Sequence, residues 1–211
     1  MKNLVVITSV INTINKPLAY SPVRSVYNSE ERYEQTLKTI ESCKLIENCD
    51  VLLIETSEIG ETKENVLKGL VDYYVNFTDD EDIQKIIDNP IKGKAEATQL
   101  WYGLKSINID DYDNLFKISG RYWFNDDFSY ENYNNTENVF KEGPNVIALG
   151  TAMYKLYKTS FEEYFSCLAY CQKSNNQMEK DFVGFFKKKY VTYDKIGLSG
   201  HVSVDGKLIN W

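Results

Sequence analysis

Ser119-Gly120-Arg121 follows an apolar run (Leu115, Phe116, Ile118), and Asp126-Asp127 comes a few residues later. Small and charged side chains just past the carboxyl end of a central strand are where open α/β sheets bind their ligands. An arginine that close to a core strand needs an anion, either a carboxylate or a phosphate. Lys94 opens a helix with the wrong sign for the helix dipole, which again points to a nearby anion. Three acidic clusters, Asp79–Asp82, Asp110–Asp113 and Asp126-Asp127, carry the hard oxygen ligands that magnesium or manganese takes. Helix capping competes with metal binding at the first cluster and turn formation at the second, which leaves Asp126-Asp127 best placed. His201 is the single histidine. With Gly200 before it and Gly206-Lys207 after it, the segment suits an ion-plus-diphosphate site. Glu179 and Asp181, in QMEKDF, are candidate catalytic acids, although Glu179 also fits the third position of a capping box begun by Asn176.

The elements that must position these residues follow from hydrophobic patterning. Leu4–Val10 and Val51–Ser57 are continuous apolar runs, the mark of strands buried on both faces of a parallel sheet. The segment Ile11–Tyr27, with two of the four prolines, reads as an ordered loop. Asn28 with Glu31 starts a helix that runs to about Cys43, and a second helix spans about Thr62–Val71. A short strand follows at Tyr73–Phe77, then a short helix stopped by Pro90, then the Gly93-Lys94 helix with Ala97, Leu100, Trp101, Leu104 and Ile107 on one face. Strand alternating with helix four times, ending on the strand before Ser119, predicts a parallel sheet covered by helices on both faces. Beyond Asp127 the rhythm changes. Ser129–Glu137 reads as a loop, Asn145–Tyr157 as a strand, and Ser160 with Glu163 and Asn176 with Glu179 as the caps of two further helices. The tail shows no periodicity.

Composition narrows the class. A chain of 211 residues fits one domain, and 43% hydrophobic residues leave ample core. The net charge of −7 offers no basic field for a nucleic-acid backbone. The 16 tyrosines exceed what a core can hide, which suits stacking on flat or sugar-like ligands. Cys43, Cys49, Cys167 and Cys171 form no CxxC pair, which argues against structural zinc, and the last two read as packing residues on one helix. With no signal peptide and no apolar run long enough to span a membrane, a cytoplasmic protein is expected, and a monomer. The abrupt ending on LINW reads as a domain cut from a longer chain.

Taken together, these residues resemble the GT-A fold of nucleotide-sugar glycosyltransferases. The resemblance rests on a strand ending in Thr8-Ser9, a strand ending in Glu55, the Gly-Lys-Ala-Glu-Ala helix and a strand ending in a short polar triplet. The tail HVSVDGKLINW is similar to the His-x-x-Gly-x-x-Lys-Pro-Trp ending of glycogenin-type retaining enzymes. More closely, the whole chain resembles the N-terminal glycosyltransferase domain of multi-domain chlorovirus capsid-glycan proteins. The resemblance implies a Rossmann-like GT-A domain with a nucleotide-binding half (1–127) and an acceptor half with a metal- and diphosphate-binding tail (128–211). It implies transfer of a hexose, glucose or L-rhamnose, from a UDP-sugar to a glycan acceptor with manganese or magnesium, with retention, in the host cytoplasm if viral. Carried across, His201 would sit on the metal with Asp126 or Asp127, and Gly206-Lys207 on the phosphates. Thr8, Ser9 and Val10 would cradle the uridine, Glu55 would accept from the uracil N–H, and Ser119, Gly120 and Arg121 would border the ribose and diphosphate, with Lys94 nearby. Glu179 or Asp181 would stand near the anomeric carbon. The departure is the Asp-x-Asp triplet, which is Ser-Gly-Arg here. Asp126 or Asp127, an acid from Asp79–Asp82, or His201 with the phosphates would have to compensate. The alternative is a non-catalytic nucleotide-sugar or glycan-binding module.

Overall fold

Four strands packed side by side carry the carboxyl-end residues to one edge of the sheet. In a computed structural model describing residues 1–14, 16–142, 148–187 and 189–211, these are β1 (Asn3–Ser9), β2 (Cys49–Glu55), β3 (Tyr73–Asn76) and β4 (Asn114–Ser119). They lie parallel in the order β3-β2-β1-β4. Leu4 to Ile7 and Leu52 to Ile54 are fully buried, as continuous apolar runs require when both sheet faces are covered. The alternation of strand and helix accounts for the helices between them: α1 (Ser29–Ser42), α2 (Glu61–Lys68), α3 (Glu81–Ile87) and α4 (Lys92–Leu104).

The second half completes the sheet. After the short β5 (Tyr122–Phe124) come β6 (Val139–Glu142) and β7 (Leu149–Tyr157). The expected strand from Asn145 thus begins at Leu149, and residues 145–147 lie outside the described residues. β7 runs antiparallel to β4, and the seven-stranded order continues β4-β7-β6-β8, with β8 at Val191–Tyr193. Helices α5 (Phe161–Cys171) and α6 (Met178–Phe186) pack on α4 through a core that includes Phe140, Tyr154, Tyr164 and Phe182. The expected α/β fold with a mostly parallel central sheet is what forms. Among the described residues no helix is long and apolar enough to cross a membrane.

Three local expectations need correction. The Ser160 hydroxyl makes no capping bond. It accepts from Asn138 Nδ2 at 2.8 Å, anchoring β6 instead of opening α5. The Asn176–Glu179 capping box does not form either, because α6 starts after Gln177, Asn176 bonds to Asp181 of that helix and Glu179 to Thr151 across the fold. The tail is not irregular: β9 (Leu198–His201) and β10 (Leu208–Asn210) make a hairpin whose inner strand pairs with β5. Gly200 permits that pairing, since a Cβ there would stand 2.1 Å from the Tyr122 ring.

By contrast, Asn28 and Glu31 form the capping box that opens α1. Asp80 caps α3, accepting from the amides of Asp82 and Ile83, and Asp113 binds Lys158 and the Lys2 amide. Those two acidic clusters serve local structure.

Candidate functional site

A cavity of about 260 Å³ opens at the carboxyl ends of β1 and β4. Thr8, Ser9 and Val10 border it from β1, and Ser119, Gly120 and Arg121 from β4. The chain ends of the two strands approach closely because residue 120 has no side chain. A Cβ on Gly120 would lie 3.1 Å from Thr36 Oγ1 and 3.4 Å from Ser9 Cβ. Its amide donates to Thr8 O at 2.9 Å and its carbonyl accepts from Thr36 Oγ1 at 3.2 Å, which fixes the turn that presents Arg121.

The arginine is 7% exposed, and among the described residues its one side-chain bond goes to the His201 carbonyl at 3.2 Å. Arg32 on α1, also 7% exposed, donates to Val10 O at 2.6 Å and to Ser25 Oγ at 3.4 Å. Among the described residues, no carboxylate lies within salt-bridge distance of either guanidinium. Buried guanidiniums are normally paired, so both remain available to an anion. Helix α4 turns one face to the same cavity: Lys92, Ala95, Glu96 and Gln99 recur at helical spacing. Lys92 is open to the cavity although ringed by protein. The Arg121 charge, and after it burial, bring its ammonium down to about 7. Burial first, then the Arg121 charge, lowers Arg32 too, but a guanidinium keeps its proton near neutrality.

Behind the cavity the fully buried Lys117 pairs with Glu96 and donates to Ser119 Oγ at 2.9 Å and Thr151 O at 2.7 Å. The Lys117 charge, set against burial, keeps the Glu96 carboxyl below its ordinary value. Thr151 Oγ1 in turn donates to Glu179 Oε1 at 2.7 Å. Glu96, Lys117, Thr151 and Glu179 therefore form one chain of polar contacts across α4, β4, β7 and α6.

The remaining expected residues are placed as follows. Glu55 lies beneath the cavity, fully buried. Its Oε1 accepts from the amides of Ile11, Thr56 and Ser57 and from the Ser57 hydroxyl, while Oε2 has no partner among the described residues. Lys94 points away from the cavity and donates to Asn175 Oδ1 at 2.8 Å. Asp181 is buried against α5, accepting from Asn176 Nδ2 at 3.0 Å, with Cys171 Sγ at 3.8 Å.

His201 packs against Tyr27 and Trp123. The Tyr27 hydroxyl donates to Gly206 O at 2.8 Å, so the proton shared with His201 Nδ1 at 3.1 Å belongs to the imidazole. Burial, with the charges of Lys38 and Arg121, holds its pKa below the usual value, so the ring is neutral at pH 7. Gly206 adopts φ 73° in the β9–β10 turn, and Lys207 is exposed beside it.

The structure does not bring His201, Asp126 and Asp127 together. The His201 amide pairs with Arg121 and the Asn125 amide with Gly197, so four residues of antiparallel strand, about 13 Å, separate His201 from the turn that holds both exposed aspartates. Among the described residues no three His, Cys, Asp or Glu side chains gather as a metal site. The cavity itself offers Glu58, Asp88 and Glu96, of which Asp88 pairs with Lys16 and Glu96 with Lys117. A donor set rich in cations, with two of its three acids engaged and the third, Glu58, exposed, does not fit manganese or magnesium.

Sequence reasoning missed Arg32, Lys92, Glu96, Gln99 and Lys117. Lys117 carried a signal, a lysine inside an otherwise apolar strand, which in a doubly covered sheet must find a buried partner. Gln99 donates to Ser9 O at 2.7 Å and Ile54 O at 2.9 Å, tying the ends of β1 and β2.

No family model matches the sequence, and no curated protein matches it either. Solved structures do. A putative nucleotide-diphospho-sugar transferase from Desulfovibrio desulfuricans aligns with a TM-score of 0.55 at 8% identity, over 92% of this chain and 80% of its own. The core-mannan synthase A of Aspergillus fumigatus, in its Mn/GDP form, aligns at 0.51 and 7% identity over 94% and 74%. A glycosyltransferase involved in glycosylation of the major capsid of PBCV-1 aligns at 0.49 and 8% identity over 92% and 82%, too slight a likeness to argue from. The chain has the GT-A fold.

Proposed function

We propose that this chain is a glycosyltransferase that takes its sugar from a nucleoside-diphosphate donor. The observation that carries this reading is the pair of buried, carboxylate-free guanidiniums, Arg32 and Arg121, facing a cavity at the carboxyl ends of β1 and β4. That edge is where an open α/β sheet receives a nucleotide, and the GT-A fold agrees with it. Thr8, Ser9 and Val10 would border the nucleoside, and Arg121 the diphosphate. The finer reading, from the sequence resemblance, is a UDP-sugar hexosyltransferase moving glucose or L-rhamnose to a glycan acceptor with retention, in capsid glycan synthesis.

In the reaction the bond between the anomeric carbon and the phosphate oxygen breaks, and its electron pair leaves on the diphosphate. Fixed positive charge at that oxygen lowers the barrier because it needs no reorganisation as charge develops. Glu179, held by Thr151 and linked to Lys117, would orient or deprotonate the acceptor hydroxyl. Asp181, turned to α5, would position α6. The resemblance implies manganese dependence, but the donor set does not fit it.

The missing acidic triplet favours a second reading, a binding module without turnover. The test is release of UDP from UDP-glucose and UDP-L-rhamnose in the presence of candidate glycan acceptors, with wild type and Glu179→Ala. Turnover that vanishes in the variant while UDP still binds supports the enzyme. Donor binding without turnover in either protein, across donors and acceptors, would leave the binding module.

A further inference from the structure

We infer that this site holds the donor diphosphate with fixed cations, Arg121, Arg32 and Lys92, and works without a divalent metal ion. The inference rests on the nucleotide-sugar reading and deepens it.

Charge accounting around the cavity is the first argument. Of the acids lining it, Asp88 is engaged by Lys16 and Glu96 by Lys117, while Glu58 is exposed and, among the described residues, within salt-bridge distance of no cation. Arg24 is spent on the carbonyls of Lys16, Asp88 and Asn89, which pins the loop between β1 and α1 over the cavity. That leaves Arg32, Lys92 and Arg121 facing one space with no carboxylate within salt-bridge reach among the described residues. Three such charges repel one another, and the Arg121 charge is the first cause that lowers the Lys92 pKa. A fold keeps like charges together where a ligand of opposite sign relieves them. A sugar diphosphate carries about two negative charges and the released nucleoside diphosphate about three, so the cluster matches the product more closely than the donor. That difference is the one a leaving group needs.

Position is the second argument. Arg121 is the third residue of the triplet in which an acid would hold a metal against the diphosphate. A guanidinium there replaces metal-bridged contact by direct, bidentate hydrogen bonding. A divalent cation at the same place would meet three positive side chains. Helix α4 reinforces the arrangement. Lys92 is its first residue, no acid occupies its first turn, and Ile91 gives no side-chain cap, so the positive end of its dipole is left for the ligand.

The test is calorimetry of UDP, GDP, CDP and dTDP against the wild-type chain, once in EDTA and once in manganese, followed by Arg121→Met and Lys92→Met. One nucleoside diphosphate is expected to bind in EDTA, with manganese changing its affinity by less than about twofold. Each variant is expected to weaken that binding roughly 10- to 100-fold, the worth of a charged hydrogen bond. Binding that needs manganese would overturn the inference and leave the glycosyltransferase reading intact. Unchanged affinity in both variants, with thermal unfolding showing them folded, would also overturn it. No binding of any of the four nucleotides in either medium would overturn the reading itself. The wild-type comparison decides the metal question even where a variant does not fold.

Discussion

Raising the pH from 7 to 9 should release the nucleotide, and Lys92 is the reason. In the free protein Arg121, burial, Lys117 and Arg32 push its ammonium down to about 7, with only Glu96 opposing them. A bound diphosphate would return it toward its ordinary value near 10.4. The bound state therefore holds a proton that the free protein loses above pH 7, so affinity falls as pH rises through that value. About half of Lys92 is charged at pH 7 and about one part in a hundred at pH 9. Because Lys92 is exposed and solvent screens the repulsion it feels, the dissociation constant should rise by well under the roughly fifty-fold limit, on the order of three- to tenfold. The terminal phosphate, with a second pKa near 6, is already ionised there, so its titration cannot weaken binding. The assay is calorimetry of UDP in EDTA at pH 7, 8 and 9, each in two buffers of different ionisation enthalpy. Uptake approaching one proton per nucleotide at pH 9 should accompany the loss. Lys92→Arg, which keeps its charge, should bind with a nearly flat profile. A wild-type affinity constant within twofold from pH 7 to 9, or the same slope in Lys92→Arg, would refute the reasoning.

The other expectations separate stability from chemistry. Lys117→Ala leaves Glu96 without its buried partner and should cost about 3–5 kcal/mol in urea unfolding, while the double change Glu96→Gln with Lys117→Met should recover much of that. If the double variant is no more stable than the single one, the ion pair is not what was lost. Gly200→Ala drives a Cβ into the Tyr122 ring and should cost about 1–3 kcal/mol by overpacking, with the β9–β10 hairpin becoming protease-sensitive. A loss under 0.5 kcal/mol (roughly the scatter of neutral surface changes) would contradict that account. Glu179→Gln keeps an oxygen to accept from Thr151 and should lower turnover about 100-fold with UDP affinity within twofold, and equal turnover would remove Glu179 from the chemistry.

The parallel half of the sheet was legible because its strands are buried on both faces and therefore apolar throughout, as Leu4–Ile7 and Leu52–Ile54 show. The hairpin of the tail was not. β9 and β10 are short, carry Gly200 and the exposed Leu208, and owe their pairing to β5, some eighty residues earlier. The capping signals divide in the same way. Asn28 and Glu31 face no tertiary competitor, whereas Ser160 and Glu179 are drawn off by Asn138 and Thr151, contacts between elements far apart in the chain. Of the candidate site, the segments at the strand ends could be read locally, Thr8 to Val10 and Ser119 to Arg121. Arg32 and Lys92 could not, because a lone cation at a helix start or within a helical turn has many ordinary uses, and only the strand order sets both against Arg121.

That dependence bears on how the missing acidic triplet should be weighed. Read in isolation, Ser119-Gly120-Arg121 is a loss of two metal ligands, and a loss argues for a binding module. Set in the sheet, Arg121 faces Arg32 and Lys92, and Glu96, the one acid of this α4 face, is occupied by Lys117 from the middle of β4. Lys117 is expensive to bury, and a strand with an apolar residue at that position would be simpler to fold. Its presence neutralises the acid that would otherwise cancel one of the three free cations. A decayed site has no reason to keep such a lysine, since the pair stabilises little beyond what packing would. The arrangement makes sense if positive charge at the cavity is what the fold retains, and then the substituted triplet is a change in how the phosphate is held. The wild-type titration in EDTA bears on this directly: diphosphate binding that survives chelation and falls with Lys92→Met requires the charge, and turnover then separates the enzyme from the binding module.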